Sequence, residues 1–287
     1  MYDTDVLIAG GGPVGLTLGH ELALHGVACV VVERNQSTTR HPKMDLTNSR
    51  SMELYSRLGL SDLIRKIGVR PDNNFDVAWM TSLNGHELHR FRYPSQTQMW
   101  ERIRQHNDGT MPAEPAVRIS QIVLEPAHKE ALERRPTASV RFGFALESFV
   151  QDKDFVACVL RETTTGRDQS IRCRYLVGCD GGASRVRQLL GIDLDGTPGI
   201  RPSYMVHFRS RAYDVLQRWG VAWHYQSGRG MIVAQDDEQY WTLQTRPPVG
   251  LEASAIDPYS VLRDYLGCDI DAELLVATPW TAHLLVA

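Results

Sequence analysis

Short apolar runs separated by glycine-rich breaks dominate the first forty residues. Residues 6–9 are apolar, the glycines of Gly10, Gly12 and Gly15 follow at once, and Leu16, Leu18, Leu22 and Leu24 then recur at helical spacing. Gly26 stops that pattern, and residues 28–32 form a β-branched run ending in Glu33 and Arg34. The order strand, tight turn, helix, strand predicts a βαβ unit of about 30 residues with parallel strands. Two short helices are expected over residues 50–58 and 61–67, parted by Gly59. Asn84-Gly85 lies between strand-like runs within residues 75–93 and predicts an antiparallel hairpin. Residues 94–117 are polar and irregular, and a mobile loop is expected there. A helix is predicted over 120–133, with Pro126 kinking it or opening a fresh turn. Strands are expected at 140–144, 155–160 and 171–177, with a turn at Thr164, Thr165 and Gly166. Beyond Gly191 the pattern becomes antiparallel, with strands near 203–208, 221–225, 230–234 and 240–245.

Composition adds mostly exclusions. At 287 residues, 43% hydrophobic, 23% charged and a net charge of -3, the chain is an ordinary globular one with no electrostatic pull toward nucleic acid or anionic lipid. The apolar stretches at 6–9 and 27–32 are too short to span a bilayer and lack a signal-peptide layout, so no membrane association and a cytoplasmic address are expected. Cys29, Cys158, Cys173, Cys179 and Cys268 form no CxxC pair and read as buried thiols. His86 and His89 have no third ligand nearby, so no metal site is expected.

Candidate chemistry gathers at the first turn. In Gly10-x-Gly12-x-x-Gly15 the glycines serve the turn, the approach of a pyrophosphate and close helix packing, while Pro13 and Val14 open the helix beside it. Glu33, at the end of the second strand, can accept hydrogen bonds from both hydroxyls of an adenosine ribose. Arg34 lies on the adenine or is simply solvated. A second turn, Asp180-Gly181-Gly182, follows a strand and precedes a helix. There Asp180 can bind a hydroxyl, Gly181 lets backbone amides approach a phosphate, and Arg187 can balance its charge. Taken alone it is equally an Asp-Gly turn capping an ordinary helix at Ser184.

Three stretches resemble the FAD-dependent aromatic hydroxylases, the single-component flavoprotein monooxygenases that include phenol, 2,4-dichlorophenol and 4-hydroxybenzoate hydroxylases. They are residues 10–15 with Glu33-Arg34, residues 48–54 with Leu58-Gly59, and residues 179–187. The resemblance runs over essentially the whole chain. It implies an α/β fold: a Rossmann-like FAD-binding domain of the glutathione-reductase type over 1–71 and 116–191, with an inserted antiparallel-sheet substrate domain over 72–115 and 192–287. It also implies FAD as cofactor, NADPH or NADH as co-substrate, and O2 and a small aromatic molecule as the other reactants; a homodimer stays open. By the same resemblance Arg50 lies beside the flavin, Arg118 and Gln121 reach it from the next helix, and Asp45 sits where a carboxylate draws the proton from a phenol. Asp45 as a solvated loop carboxylate and Arg50 as a helix-surface charge are the plain alternatives.

A third Gly-Asp-Ala-type turn, expected of that family, is not found before Ala287; residues 278–287 look like the strand leading to it. A truncated chain, with weak flavin retention and low stability, is the corresponding expectation, and a non-catalytic FAD- or NAD-binding remnant is the rival reading.

Overall fold

The computed structural model describes residues 2–248, 250 and 252–287. The first half of the chain runs β1 (Thr4–Ala9), α1 (Pro13–Leu24), β2 (Cys29–Glu33), β3 (Leu46–Thr47), α2 (Ser49–Arg57), α3 (Ser61–Ile67), β4 (Val77–Met80), β5 (Glu87–Phe91), α4 (Gln96–His106), β6 (Val117–Arg118) and α5 (Gln121–Glu133). The second half runs β7 (Ala138–Phe142), β8 (Phe144–Gln151), β9 (Val156–Glu162), β10 (Asp168–Gly178), α6 (Arg185–Leu189), β11 (Asp195–Arg209), α7 (Tyr213–Leu216), β12 (His224–Ser227), β13 (Gly230–Ala234), β14 (Tyr240–Thr245), α8 (Pro258–Leu266) and β15 (Glu273–Val286). These pack as two compact units: Met1–Arg40, Gln121–Asp195 and Val286–Ala287 form one, and His41–Ser120 with Gly196–Leu285 the other.

The first unit is built on a six-stranded sheet in the order β7-β2-β1-β10-β9-β8. β7, β2, β1 and β10 run parallel, while β9 and β8 return antiparallel. Leu7, Ile8, Val30, Val31 and Val32 are buried, as strands covered on both faces require, which explains their unbroken apolar runs. α1 and α5 pack together on one face. Gly19 allows it, because a Cβ there would fall 2.7 Å from Leu132 Cδ2. The predicted βαβ unit is therefore observed, but β8 was not legible, because a register shift between Leu146 and Ser148 breaks its alternation.

The second unit carries a seven-stranded sheet in the order β15-β11-β14-β13-β12-β4-β5. Tyr204, Val206, Phe208, Tyr225, Ile232, Trp241 and Leu243 point from one face into a core closed by Leu262, Tyr265 and Leu266 of α8. Two expectations are corrected. The sheet is not antiparallel throughout, since β12 pairs with β4 in parallel (His224↔Val77, Gln226↔Trp79). The expected loop at 94–117 contains α4, started by a capping box in which Ser95 Oγ accepts from Gln98 N–H and Gln98 Oε1 accepts from Ser95 N–H. By packing, residues 41–71 and 116–120 group with this unit: β3 pairs with β6, Arg118 bonds Asp237, and Asp45 bonds Trp223. Among the described residues no helix is long and apolar enough to cross a membrane.

Candidate functional site

β1 ends at Ala9 and α1 begins at Pro13, so three glycines make the connection. Gly10 has φ +112°, and a Cβ there would fall 2.3 Å from Cys179 O; a Cβ on Gly15 would fall 1.9 Å from Gly10 O. The protein's own packing demands both glycines. Gly12 differs: its φ of -78° suits any residue, and a Cβ there would meet nothing within 4 Å. The space in front of Gly12 is open, and it faces the start of α1, where no side chain caps the helix. Unsatisfied first-turn amides and the positive end of the helix dipole together make this a seat for phosphate. Pro13 occupies the first turn, where its missing N–H costs nothing, and Val14 beside it is 70% exposed.

The second glycine turn lies next to the first. β1 and β10 pair in parallel as far as Ala9↔Gly178, and Cys179 N–H then donates to Ala9 O at 2.7 Å. Gly181 has φ +78°, and neither it nor Gly182 would bring a Cβ within 4 Å of any atom. Asp180 Oδ2 accepts from the N–H groups of Arg185 (2.6 Å) and Val186 (3.2 Å), tying the turn to α6. Its Oδ1 is buried and, among the described residues, has no hydrogen-bond partner. A buried carboxylate oxygen without a donor is costly, and a sugar hydroxyl is a donor of the right size and charge. The orphaned oxygen and the open glycines fit a dinucleotide.

Glu33 ends β2 and braces the turn: Oε2 accepts from Gly11 N–H at 2.9 Å, and Oε1 accepts from Asn35 N–H and Nδ2. A carboxylate offers about four acceptor sites, so capacity for a ribose hydroxyl remains. Arg34 is exposed. Arg187 Nη1 donates to Ile192 O at 2.6 Å, so part of its guanidinium serves the end of α6. Gln121 Nε2 donates to Glu125 Oε2 at 2.9 Å inside the first unit.

Other candidates belong to the second unit. Arg50 stands on α2, largely exposed, and bonds Glu53 at 3.1 Å. Arg118 is turned inward. Its Nη1 and Nη2 each lie 2.6 Å from Asp237, both side chains are 1% exposed, and Nη2 also donates to Ala234 O. The terminal nitrogens of Arg118 are thus committed to a buried ion pair. Asp45 is not a solvated loop carboxylate. Trp223 Nε1–H donates to its Oδ2 at 2.9 Å, and His224 Nε2 lies 3.2 Å from the same oxygen. Burial pushes the Asp45 carboxyl up, but the hydrogen bond and charge of His224, the indole N–H and the Arg118 charge outweigh it and hold the group below the usual carboxylate range. Of the aromatic side chains here, Trp79 is exposed, Trp100 lies under Arg65 and Arg104, and Tyr225 is core. Sequence reasoning missed His224 and Asp237; neither belongs to a motif, and only tertiary contact marks them. Among the described residues no group of His, Cys, Asp or Glu could hold a metal ion.

Two glycine turns on neighbouring parallel strands, one opening a crossover helix, define a dinucleotide-binding α/β protein. Residues 3–284 match the FAD binding domain family, and the chain belongs to it. It is 35% identical over 98% of its length to the FAD-dependent monooxygenase apdD of Emericella nidulans, covering 48% of that protein. It is 31% identical to the 2,4-dichlorophenol 6-monooxygenase of Delftia acidovorans, over 73% of this chain and 35% of that protein. The crystal structure of the flavin-dependent monooxygenase PieE with FAD and substrate superposes with a TM-score of 0.86 at 27% identity, over 100% of this chain and 51% of that one. The chain thus spans about half the length of these relatives, or less.

Proposed function

We propose that this chain is the FAD-carrying part of a monooxygenase that hydroxylates a phenolic ring at the expense of NADPH or NADH and O2. The observation that carries the reading is the juxtaposition of the two glycine turns on β1 and β10, with open space at Gly12, Gly181 and Gly182 and a buried oxygen on Asp180 that has no partner among the described residues. The likeness to a dichlorophenol monooxygenase supports the phenolic substrate. When bound, the flavin supplies the redox chemistry, accepting electrons from the nicotinamide and activating O2.

This chain's residues bind and orient. Gly10, Gly12 and Gly15 shape the pyrophosphate seat with Pro13 and Val14, and the start of α1 presents its amides. Glu33 receives the adenosine ribose, with Arg34 at the adenine; Asp180 and Gly181 receive the flavin side of the dinucleotide, and Arg187 offsets its charge. Arg50, exposed on α2 and bonded to Glu53, is the arginine proposed to meet the flavin or the nicotinamide nucleotide. Gln121 steadies α5. The second unit is the substrate domain, and Asp45 is the carboxylate placed to assist loss of the phenolic proton.

Titrating the purified chain with FAD and following flavin fluorescence tests the first half of the proposal. Phenol-stimulated NADPH or NADH oxidation, measured over a panel of phenols, tests the second. Flavin-loaded protein whose nicotinamide oxidation no phenol accelerates would refute the hydroxylase assignment.

A further inference from the structure

Asp45 is held from one side only. Both of its side-chain partners, Trp223 Nε1 and His224 Nε2, meet Oδ2, and among the described residues nothing bonds Oδ1. The two donors are themselves fixed. Trp223 N–H and His224 N–H both donate to Asp76 O, at 2.8 and 3.3 Å, and the Trp223 ring lies 4.1 Å from the His224 ring and edge-on to Phe75 at 6.0 Å. The carboxylate stays ionised, so the nitrogen facing it has to carry a proton. In the neutral ring this hydrogen bond makes Nε2 the N–H and leaves the lone pair on Nδ1. Nδ1 has no hydrogen-bond partner among the described residues and is not sealed, since the His224 side chain is 19% exposed.

We propose that His224 Nδ1, with Asp45 behind the ring, accepts the hydroxyl proton of the phenolic substrate, and that Asp45 is its positioning residue. The inference rests on the hydroxylase reading above. In the step the substrate O–H bond breaks, the proton passes to Nδ1, and the electron pair stays on oxygen. The products are a phenolate and an imidazolium paired with the Asp45 carboxylate. The choice between the two bases follows from their chemistry. A phenol (about 10) and a carboxyl group (about 4) are separated by about six pH units, a phenol and an imidazole (about 6.5) by about three and a half. Holding Asp45 below the usual carboxylate range widens the first gap and fits Asp45 to stabilise an imidazolium. The other charged groups nearby have partners: Arg118 is paired with Asp237, and Arg90 bonds both Glu87 at 2.7 Å and Asp76 at 3.4 Å.

The test uses 4-nitrophenol, whose anion absorbs in the visible, bound to the purified protein with and without FAD across pH 5 to 9. Wild-type protein should lower the probe's ionisation midpoint by about one pH unit or more. His224→Gln should return the midpoint to that of the free probe and cut phenol-stimulated kcat/KM by about 100-fold. Asp45→Asn, which loses control of the tautomer, should keep part of the shift. Trp223→Phe removes the other donor, leaves the imidazole, and should keep most of it. His224→Ala with added imidazole should regain turnover, which a purely structural role would not allow. Absence of probe binding or of any shift in wild type overturns the proposal, as does a normal His224→Gln protein. Loss in Asp45→Asn with none in His224→Gln overturns it too, and makes Asp45 the acceptor. A wild-type protein that ionises the probe yet hydroxylates no phenol sinks the hydroxylase reading alone. One that hydroxylates phenols with an unaltered His224→Gln pH profile sinks only the dyad.

Discussion

Gly10 and Gly12 are two residues apart and have opposite reasons for being glycine. Gly10 adopts φ +112° and its missing Cβ makes room for Cys179 O, so Gly10→Ala should destabilise the fold by about 3 kcal/mol or more in a denaturant melt. Gly12 is under neither constraint. Gly12→Ala should change stability by less than about 0.5 kcal/mol, yet weaken FAD binding by at least about tenfold because the new methyl group stands in the phosphate's path. Equal losses of stability in both variants would disprove this division of labour. The Arg118–Asp237 pair is a third residue-scale case. Asp237 has φ +62°, which asparagine tolerates, so Asp237→Asn isolates the charge. It should cost about 3–5 kcal/mol, since Arg118 would be left buried and unpaired.

At the scale of elements, α1 and α5 meet through two buried imidazoles, with His20 Nε2 3.1 Å from His128 O and the rings 5.7 Å apart. Burial, aided by the charge of His20, pushes His128 down to about 4. Burial also lowers His20, against the pull of the His128 carbonyl and with the help of Arg135. Below the ordinary imidazole value of 6.5 the unfolded chain takes up protons that the folded one refuses. Stability is therefore full above pH 6.5 and falls as pH drops toward 4, by roughly 3 kcal/mol for His128 alone. Since α1 presents the phosphate seat, FAD retention should fail in the same window. His128→Leu should flatten the dependence of Tm on pH, though not abolish it, because His207 in the second unit is likewise pushed down to about 4 by burial. An unchanged slope in His128→Leu would count against this account.

The elements also show where local pattern was enough. The β1–α1–β2 crossover and the hairpin at Asn84-Gly85 were legible because glycine turns and β-branched runs act within a few residues. α4 was not, although Ser95 and Gln98 carry its start signal, because its polar surface hides a helical period. α8 was missed as well, despite the Asp257 cap and Pro258 at its first turn. The parallel joint of β12 to β4 had no local signal at all, since these strands are far apart in the chain.

For the molecule as a whole, ligand binding should be visible as stability. FAD at 100 times its dissociation constant should stabilise the unit that binds it by about 2.7 kcal/mol, and a Tm that rises with FAD in wild type but not in Gly12→Ala would tie the shift to the glycine seat. No FAD-dependent rise in wild-type Tm would contradict the proposed site. What the amino-acid order determined by itself was the chemistry that depends on neighbours along the chain: the phosphate turn at Gly10 to Gly15, the Asp180-Gly181 turn, and a parallel sheet to carry them. Tertiary structure alone decided what those residues meet. It committed Arg118 to Asp237, left one oxygen of Asp180 without a donor among the described residues, and brought Trp223 and His224 against Asp45 across nearly 180 residues. Hydrogen bonds and ion pairs act over a few ångströms in space, and a sequence records such proximity only where the chain itself is short between the partners.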